Sequence, residues 1–234
     1  SFSGHNFGNL FLQALGAVTG SDVRAIKKAA ELLNCRGKVL PVSIDPSNLC
    51  ATLENGQTIK GESNIDIPKH DGEIRIKNVY LEPRSYIFAE AYEVIRDADL
   101  IVIGPGDLYT SLIPNFLAEG FADAIRERRG KLAYVLNIMT KWGETNGFVA
   151  SEFAKEVLSY VQQDKFDYII CSSVPVTERL IQKYTAEKAH PVKLDIPELQ
   201  QLTHSVILED VIQQTEIVRH DSNKLARTLC GLMR

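Results

Sequence analysis

The feature of this sequence that most constrains its fold is a regular alternation of strand and helix patterns, which begins near residue 85. The tetrapeptide Leu-Ile-Val-Ile at 100–103 is entirely apolar, as is typical of a strand whose two faces are both covered. A long amphipathic pattern at 149–162 predicts a helix, and a second buried strand is predicted at 168–171. This alternation predicts an α/β fold with a mostly parallel sheet and helices on both faces.

The other periodic segments fit the same α/β interpretation. Apolar residues at helical spacing predict a helix at 7–18, and a second helix from the N-cap residue Ser21 to about residue 34. Further helices are predicted at 87–96, 110–118, 120–129, 176–185 and 223–232. Further strands are predicted at 131–137, 191–194 and 205–208.

Residues 38–81 interrupt this alternation with an antiparallel pattern. The dipeptide Asn55-Gly56 lies between two apolar stretches and is the strongest short hairpin signal in the chain. Strands are predicted at 38–43, 49–54, 57–61 and 74–81. We therefore expect a single α/β domain over 1–234, with 38–81 as an antiparallel β insertion within it.

Composition and charge argue against several classes of protein. The 234 residues carry 26 Lys and Arg against 30 Asp and Glu, a net charge of −4, which is unlike a nucleic-acid binder. The four cysteines are far apart, so they are expected to be reduced, as in a cytoplasmic protein. No apolar run approaches ~18 residues, so no membrane span is predicted. Because the chain starts with Ser1 rather than Met, we expect a segment to precede it.

The segment 104–111, Gly-Pro-Gly-Asp-Leu-Tyr-Thr-Ser, is one of three loops that could carry chemistry, since it joins a buried strand to a helix. Its glycines allow the backbone to approach a ligand, and N–H groups at a helix start favour an anion. Asp107, however, would repel a phosphate unless a cation lay between them. The segment is therefore either a phosphate cradle or a plain turn. Its candidate ligand-binding residues are Gly104, Gly106, Asp107, Tyr109, Thr110 and Ser111.

Two other loops contain polar side chains near predicted element ends. The segment 4–9 offers amides that could bind a base or a sugar, although Asn6 could instead cap the helix. The segment 137–145 contains Lys141 and the only tryptophan of the chain, and it is longer than a simple connection requires. It is equally compatible with a solvated loop. The candidate ligand-binding residues of the two loops are His5, Asn6, Asn9, Asn137 and Thr140.

Tyr184 and Arg219 are two further candidates for ligand contact. Tyr184, at the end of a predicted helix, offers a flat aromatic ring for contact with a ligand. Arg219 offers a planar guanidinium suited to a diphosphate. The alternative is that Arg219 pairs with a surface carboxylate and Tyr184 packs on its own helix. His220 and Asp221 are adjacent, and Asp221 or Ser222 is expected to cap the last helix rather than act in catalysis; no catalytic residue is assigned.

Five motifs, taken together and in order, resemble one known family. They are GHNFGNLFLQAL at 4–15, LNCRGKVLPVS at 33–43, GPGDLYTSLIPNFL at 104–117, LNIMTKWGET at 136–145 and IVRHD at 217–221. Together they are similar to the bacterial gluconeogenesis factors, the YvcK-like family, which is related to the CofD 2-phospho-L-lactate transferases. The resemblance covers nearly the whole chain.

The resemblance implies a Rossmann-like fold and a cytoplasmic protein that binds UDP-sugars such as UDP-GlcNAc. The implied role is support of cell-wall synthesis and cell shape during gluconeogenic growth, without an assigned reaction. A homo-oligomer is expected, and no protein-bound metal is assigned, although Mg²⁺ could accompany a nucleotide diphosphate. The alternative is a CofD-type transferase, which moves a phospholactyl group from a nucleotide-activated donor to a deazaflavin alcohol.

This sequence departs from the family pattern in three places. Family members usually begin with a buried strand, a Gly-Gly-Gly-Thr-Gly turn and an Asp-Asp-Gly-Gly-Ser stretch, and none of these occurs in the given sequence. Asp107 occupies a position where many members have Ser, which weakens a pure phosphate-cradle interpretation. Trp142 occupies a position where many members have Pro, and this is expected to alter the shape of the loop.

Overall fold

The first described elements form a helical hairpin. The structure, a computed structural model, describes residues 7–233. Helices α1 (Phe7–Thr19) and α2 (Asp22–Leu32) pack against each other, and the Ser21 hydroxyl caps α2 by accepting from the Arg24 N–H, as predicted. No residue of α1 is buried, and Phe7 and Val18 are largely exposed. The hairpin therefore adds little to the core.

The inserted segment forms a separate three-stranded antiparallel sheet with the order β2-β1-β3. Its elements are β1 (Asn48–Leu53), β2 (Thr58–Lys60), a short helix α3 (Glu62–Asp66) and β3 (Ile76–Glu82). The predicted hairpin at Asn55-Gly56 is confirmed, whereas α3 lies in a stretch for which no element was predicted. The strand predicted at 38–43 is wrong. Pro41 has no N–H to donate, and the Val42 carbonyl instead accepts from the Phe88 N–H.

The central element is a four-stranded parallel sheet with the order β4-β5-β6-β7. The helix α4 (Ala89–Asp97) precedes this sheet in the chain. The four strands are β4 (Leu100–Ile103), β5 (Lys131–Val135), β6 (Phe166–Ser172) and β7 (Thr203–Glu209). The predicted α/β fold is thereby confirmed. One detail is wrong: β4 is an edge strand, and its Val102 side chain is partly exposed rather than covered.

The connections after β4, β5 and β6 are largely helical. They contain a π-helical turn (Leu108–Leu112), α5 (Ile113–Phe116), α6 (Phe121–Arg126), α7 (Ala150–Val161), α8 (Glu178–Thr185) and α9 (Ile196–Leu202). The strand predicted at 191–194 is wrong, because this stretch forms only isolated bridges, Met139 to Pro191 and Val149 to Lys193. The helix predicted at 110–118 instead starts as the π-helical turn.

The chain continues into a small ribbon, β8 (Ile212–Gln214) and β9 (Val218–His220), and then α10 (Ser222–Gly231). The ribbon was not predicted from the sequence. Asp221 caps α10 by accepting from the N–H groups of Asn223 and Lys224, as expected. Among residues 7–233, every helix is too short or too polar to cross a bilayer.

The parallel sheet is covered on both faces by different elements. On one face, Leu132 and Tyr134 of β5 pack with α7, which contributes Phe153 and Val157. On the other face, Ala133 of β5 joins a smaller cluster, whose other members are Val135, Ile170, Val211, Ile212 and leucines of α10. Because the strands run parallel, the loops that follow β4, β5 and β6 meet at one edge of the sheet.

Candidate functional site

A cavity of about 580 Å³ lies where the loops after β4 and β5 meet α8, β9 and the inserted segment. This volume is in the range of small-molecule sites. The cavity joins segments that are far apart in the sequence, and all of them except β9, which contributes Val218, supply polar or aromatic side chains. Its polar and aromatic lining consists of Asp66, Asp107, Thr140, Lys141, Trp142, Tyr184 and Glu187.

Lys141 is the electrostatic centre of this cavity. Its ammonium forms an ion pair with Asp66 of α3, lies 2.7 Å from the Asp107 carboxylate, and lies 3.0 Å from that of Glu144. Burial disfavours the charged ammonium, but attraction to Glu144 and hydrogen bonds to the other two carboxylates outweigh it and raise the pKa of Lys141. Lys141 is therefore charged at neutral pH and ties the insertion to both loops.

Glu144 is fully buried and holds the backbone of the π-helical turn. One carboxylate oxygen accepts the Tyr109 N–H at 2.9 Å, and the other accepts the Thr110 hydroxyl at 2.8 Å. Burial raises the pKa of Glu144, while Lys141, the Thr110 hydroxyl and the Tyr109 N–H oppose this by stabilising the carboxylate. The loop after β4 therefore takes its shape from a residue in the loop after β5.

The residues predicted in the 104–111 segment divide into an inward and an outward set. Tyr109 and Thr110 are buried, and the Ser111 N–H donates to the Asp107 carbonyl at 2.9 Å. The N–H groups of Tyr109 and Ser111 therefore donate to acceptors within the protein, whereas in a phosphate cradle the N–H groups of the loop face the ligand. Gly104, Gly106 and Ser111 are not among the cavity-lining residues, whereas the Asp107 side chain faces the cavity.

Asn137 and Thr140 connect loops in this structure. The Asn137 amide donates to the Gly106 carbonyl at 2.7 Å, and its oxygen accepts from the Tyr134 hydroxyl. The Thr140 hydroxyl accepts the His190 N–H at 2.9 Å, and the Thr140 N–H donates to the His190 carbonyl. Both side chains fix the position of the 137–145 loop, and Thr140 also lines the cavity.

The remaining predicted residues lie at different distances from this cavity. Tyr184 lines it, and its hydroxyl accepts the Val218 N–H at 3.2 Å. Arg219 is exposed on β9, on the face of the ribbon opposite to the lining residue Val218. Asn9 is exposed on α1 and does not line the cavity. His5 and Asn6 lie outside the described residues.

Comparison with known proteins identifies the family of this chain. The family model described as 2-phospho-L-lactate transferase CofD matches residues 1–212. The chain belongs to the CofD family. Two curated relatives of this CofD-family protein are gluconeogenesis factors: that of Halalkalibacterium halodurans is 37% identical over 229 residues (97% of this chain, 70% of the relative), and that of Bacillus subtilis is 36% identical over 234 residues (99% and 73%).

A solved structure supports the same family assignment. The X-ray crystal structure of a protein from Bacillus halodurans is similar to this CofD-family chain with a TM-score of 0.90 and 35% sequence identity. The match covers 97% of this chain and 73% of that chain. The resemblance to the gluconeogenesis factors is therefore confirmed.

Asp66 is a cavity-lining residue that sequence reasoning missed in this CofD-family chain. It lies in the insertion, 75 residues before Lys141, and none of the five family motifs contains it. Only the packing of α3 beside the loop after β4 brings it to the cavity. Trp142 and Glu144 both lie in the predicted 137–145 loop, but their places in the cavity wall and beneath the π-helical turn are set by the tertiary packing.

The carboxylates of this cavity resemble the oxygen ligands of a divalent cation. Asp66, Asp107 and Glu144 each present one oxygen, and the three lie within 4.8 Å of one another. Hard cations such as Mg²⁺ prefer such ligands. However, the Lys141 ammonium already forms ion pairs with all three. These residues therefore do not fit an additional cation while Lys141 occupies that place, and no metal is assigned to the cluster.

Proposed function

We propose that this CofD-family protein is a gluconeogenesis factor that binds a nucleotide sugar of the UDP type and supports cell-wall synthesis during gluconeogenic growth. One observation carries the proposal. A single cavity combines Asp107 from one family motif and Lys141 from a second with the Tyr184 ring of α8. Convergent polar groups and an aromatic ring in a cavity of this size are typical of small-molecule sites.

The location of the cavity adds support. Ligands of parallel α/β sheets bind outside the carboxyl ends of the strands, and both Asp107 and Lys141 follow such strand ends. Tyr184 is held by a hydrogen bond from the neighbouring ribbon, so its ring is fixed before a ligand arrives. A preformed ring contributes to affinity because little side-chain entropy is lost on binding.

The proposal is tested by calorimetric titration with UDP-GlcNAc, UDP-glucose, UDP and GDP. We expect saturable binding of the UDP-sugars, and we expect Tyr184→Ala, in the cavity lining, to weaken it at least tenfold, which is about 1.4 kcal/mol. Arg219 lies outside that lining, so a tenfold loss for Arg219→Ala would require the diphosphate to extend from the cavity to the outer face of β9. The melting temperature without ligand should hardly change for Arg219→Ala, which is exposed. No binding of any UDP-sugar by the parent protein would overturn the proposal.

The binding of Mg²⁺ together with the nucleotide diphosphate stays a prediction. The titration should therefore be run once with Mg²⁺ and once with EDTA. Tighter binding with Mg²⁺ would indicate that the cation accompanies the nucleotide. Equal affinity in both buffers would contradict the prediction and leave the protein's own basic side chains as the counter-charges.

A transferase activity of the CofD type is the second candidate, because the matching family model carries that description. This activity would consume a nucleotide-activated phospholactate in the presence of a deazaflavin alcohol. Incubation of both substrates with the protein and Mg²⁺, followed by chromatography, distinguishes the two functions. Nucleotide release that depends on the alcohol acceptor would favour the transferase, and binding of UDP-sugar without turnover would favour the first proposal.

A further inference from the structure

Trp142 forms a fixed aromatic wall of the cavity. It is the only tryptophan in the chain and is half-buried. The backbone of Gly72 packs directly against the indole: a Cβ added at Gly72 would lie 2.5 Å from the indole Nε1. The insertion thus sets the position of the ring from outside the cavity.

The turn that supports the indole is itself anchored. The Asn146 amide donates to the Gly72 carbonyl, and the Asn146 oxygen accepts the Gly143 N–H at 2.8 Å. Gly143, which follows Trp142, has a positive φ of 82° and lies against Pro68, so a side chain at Gly143 would collide. The ring therefore has little freedom to leave the cavity wall.

The face of the indole attracts positively polarised groups. The Lys188 ammonium lies 3.7 Å from the ring centroid, in a cation–π contact. Lys188 is itself exposed, so the contact can be exchanged for another one. The C–H groups on one face of a pyranose ring are also positively polarised and suit the negative face of an aromatic ring.

Apart from Lys188, whose exposed ammonium lies on the Trp142 ring, the charge of the cavity does not suit a diphosphate. Among the lining residues Asp66, Asp107 and Glu187 are acidic, and Lys141 is the basic one. Its ammonium is engaged by Asp66, Asp107 and the buried Glu144. The Asp66 and Asp107 side chains are 34% and 45% exposed, so their free lone pairs remain open to hydroxyl donors.

We propose that this cavity holds the sugar ring of the nucleotide sugar, which packs on Trp142 and donates hydroxyl hydrogen bonds to Asp66 and Asp107. The inference rests on the proposed function and goes further, because it places the neutral polyol rather than the diphosphate or the base at this position. It makes Trp142 a determinant of specificity for the sugar.

The test compares UDP-GlcNAc with UDP on the parent protein and on Trp142→Ala, Trp142→Phe and Asp107→Asn. The parent should bind UDP-GlcNAc at least tenfold more tightly than UDP. Trp142→Ala and Asp107→Asn should each remove most of this preference for UDP-GlcNAc and leave the UDP affinity unchanged. Trp142→Phe should retain part of the preference. Tyr86→Ala, an exposed aromatic outside the cavity lining, is the control that should leave both affinities unchanged.

Intrinsic fluorescence gives a second measurement, since the chain has one tryptophan. UDP-GlcNAc should change the Trp142 emission, and UDP at saturation should change it much less. Equal losses of UDP and UDP-GlcNAc affinity in Trp142→Ala would overturn the inference and place the base on the ring. Unchanged affinities would also overturn it. If the parent binds neither compound, the proposed function itself fails, which is a distinct result.

Discussion

The loop after β4 and the loop after β5 follow neighbouring parallel strands, yet they are built in opposite ways. In the first, Tyr109 and Thr110 are buried and their polar groups bond to Glu144. In the second, Lys141 and Trp142 face a cavity. The first loop therefore mainly supports the fold, and the second presents side chains to the cavity.

This difference shows that a loop at the carboxyl end of a parallel strand can serve mainly to support its neighbour. The sequence of the 104–111 segment is compatible with a phosphate cradle or a plain turn, and the N–H groups of Tyr109 and Ser111 are bonded within the protein. Of that segment, Asp107 is the residue whose side chain lines the cavity. The predictions below test how strictly the two loops divide these roles.

The largest expected effect is that of Glu144→Ala on stability. The substitution leaves the Tyr109 N–H, the Thr110 hydroxyl and part of the Lys141 charge without their partner. Breaking a buried ion pair in this way should lower the free energy of unfolding by about 3–5 kcal/mol. Urea denaturation measures this free energy. The control is Glu119→Ala, which removes an exposed ion pair with Arg84 and should lower the free energy of unfolding by less than about 1 kcal/mol. Similar costs for both variants would show that Glu144 does not hold the loop.

Thr110→Val should have the next largest effect. The methyl group preserves the shape of the side chain but removes a hydroxyl donor to a charged acceptor, so a loss of about 1.5–3 kcal/mol in unfolding free energy is expected. The neighbouring exposed Ser111 provides the control, and Ser111→Ala should change stability by no more than about 0.5 kcal/mol. The reverse order of the two values would contradict the division into inward and outward residues.

Tyr184→Phe should have a moderate effect on the opposite side of the site. The substitution removes the acceptor for the Val218 N–H, which connects α8 to the ribbon, and should cost about 0.5–1.5 kcal/mol of stability. UDP-sugar affinity should stay near that of the parent, since the ring is retained. A tenfold loss of affinity with unchanged stability would assign the hydroxyl, rather than the ring, to the ligand.

The smallest expected effect is a pH dependence that involves His220. Burial lowers the pKa of His220 from its usual value near 6.5, opposed by a hydrogen bond with the Leu136 backbone. The folded state therefore takes up a proton less readily than the unfolded state, and the free energy of unfolding should fall as the pH falls below about 6.5. In His220→Gln this fall in the free energy of unfolding should disappear, as measured by denaturation curves recorded from pH 7.5 to 5. An unchanged slope would assign it to other groups.

Local periodicity was sufficient to predict most helices and strands, because the spacing of apolar residues within each element indicates which of its faces is buried. The strand 100–103, the hairpin at Asn55-Gly56 and the cap at Ser21 all depend on side chains within a few residues. The failures have a common cause. Residues 38–43 and 191–194 have strand-like composition, but whether they form strands depends on whether a distant segment offers a free edge.

The sequence by itself therefore determined the α/β class, the antiparallel insertion and the loops in which to search for a site. Only the tertiary structure decided which side chains of those loops face the cavity. Lys141 meets Asp66 across 75 residues, and Glu144 meets Thr110 across 34. Such pairings depend on how strands and insertion pack together, because an ammonium or a carboxylate removed from water requires an opposite charge or a hydrogen bond wherever the fold can supply one.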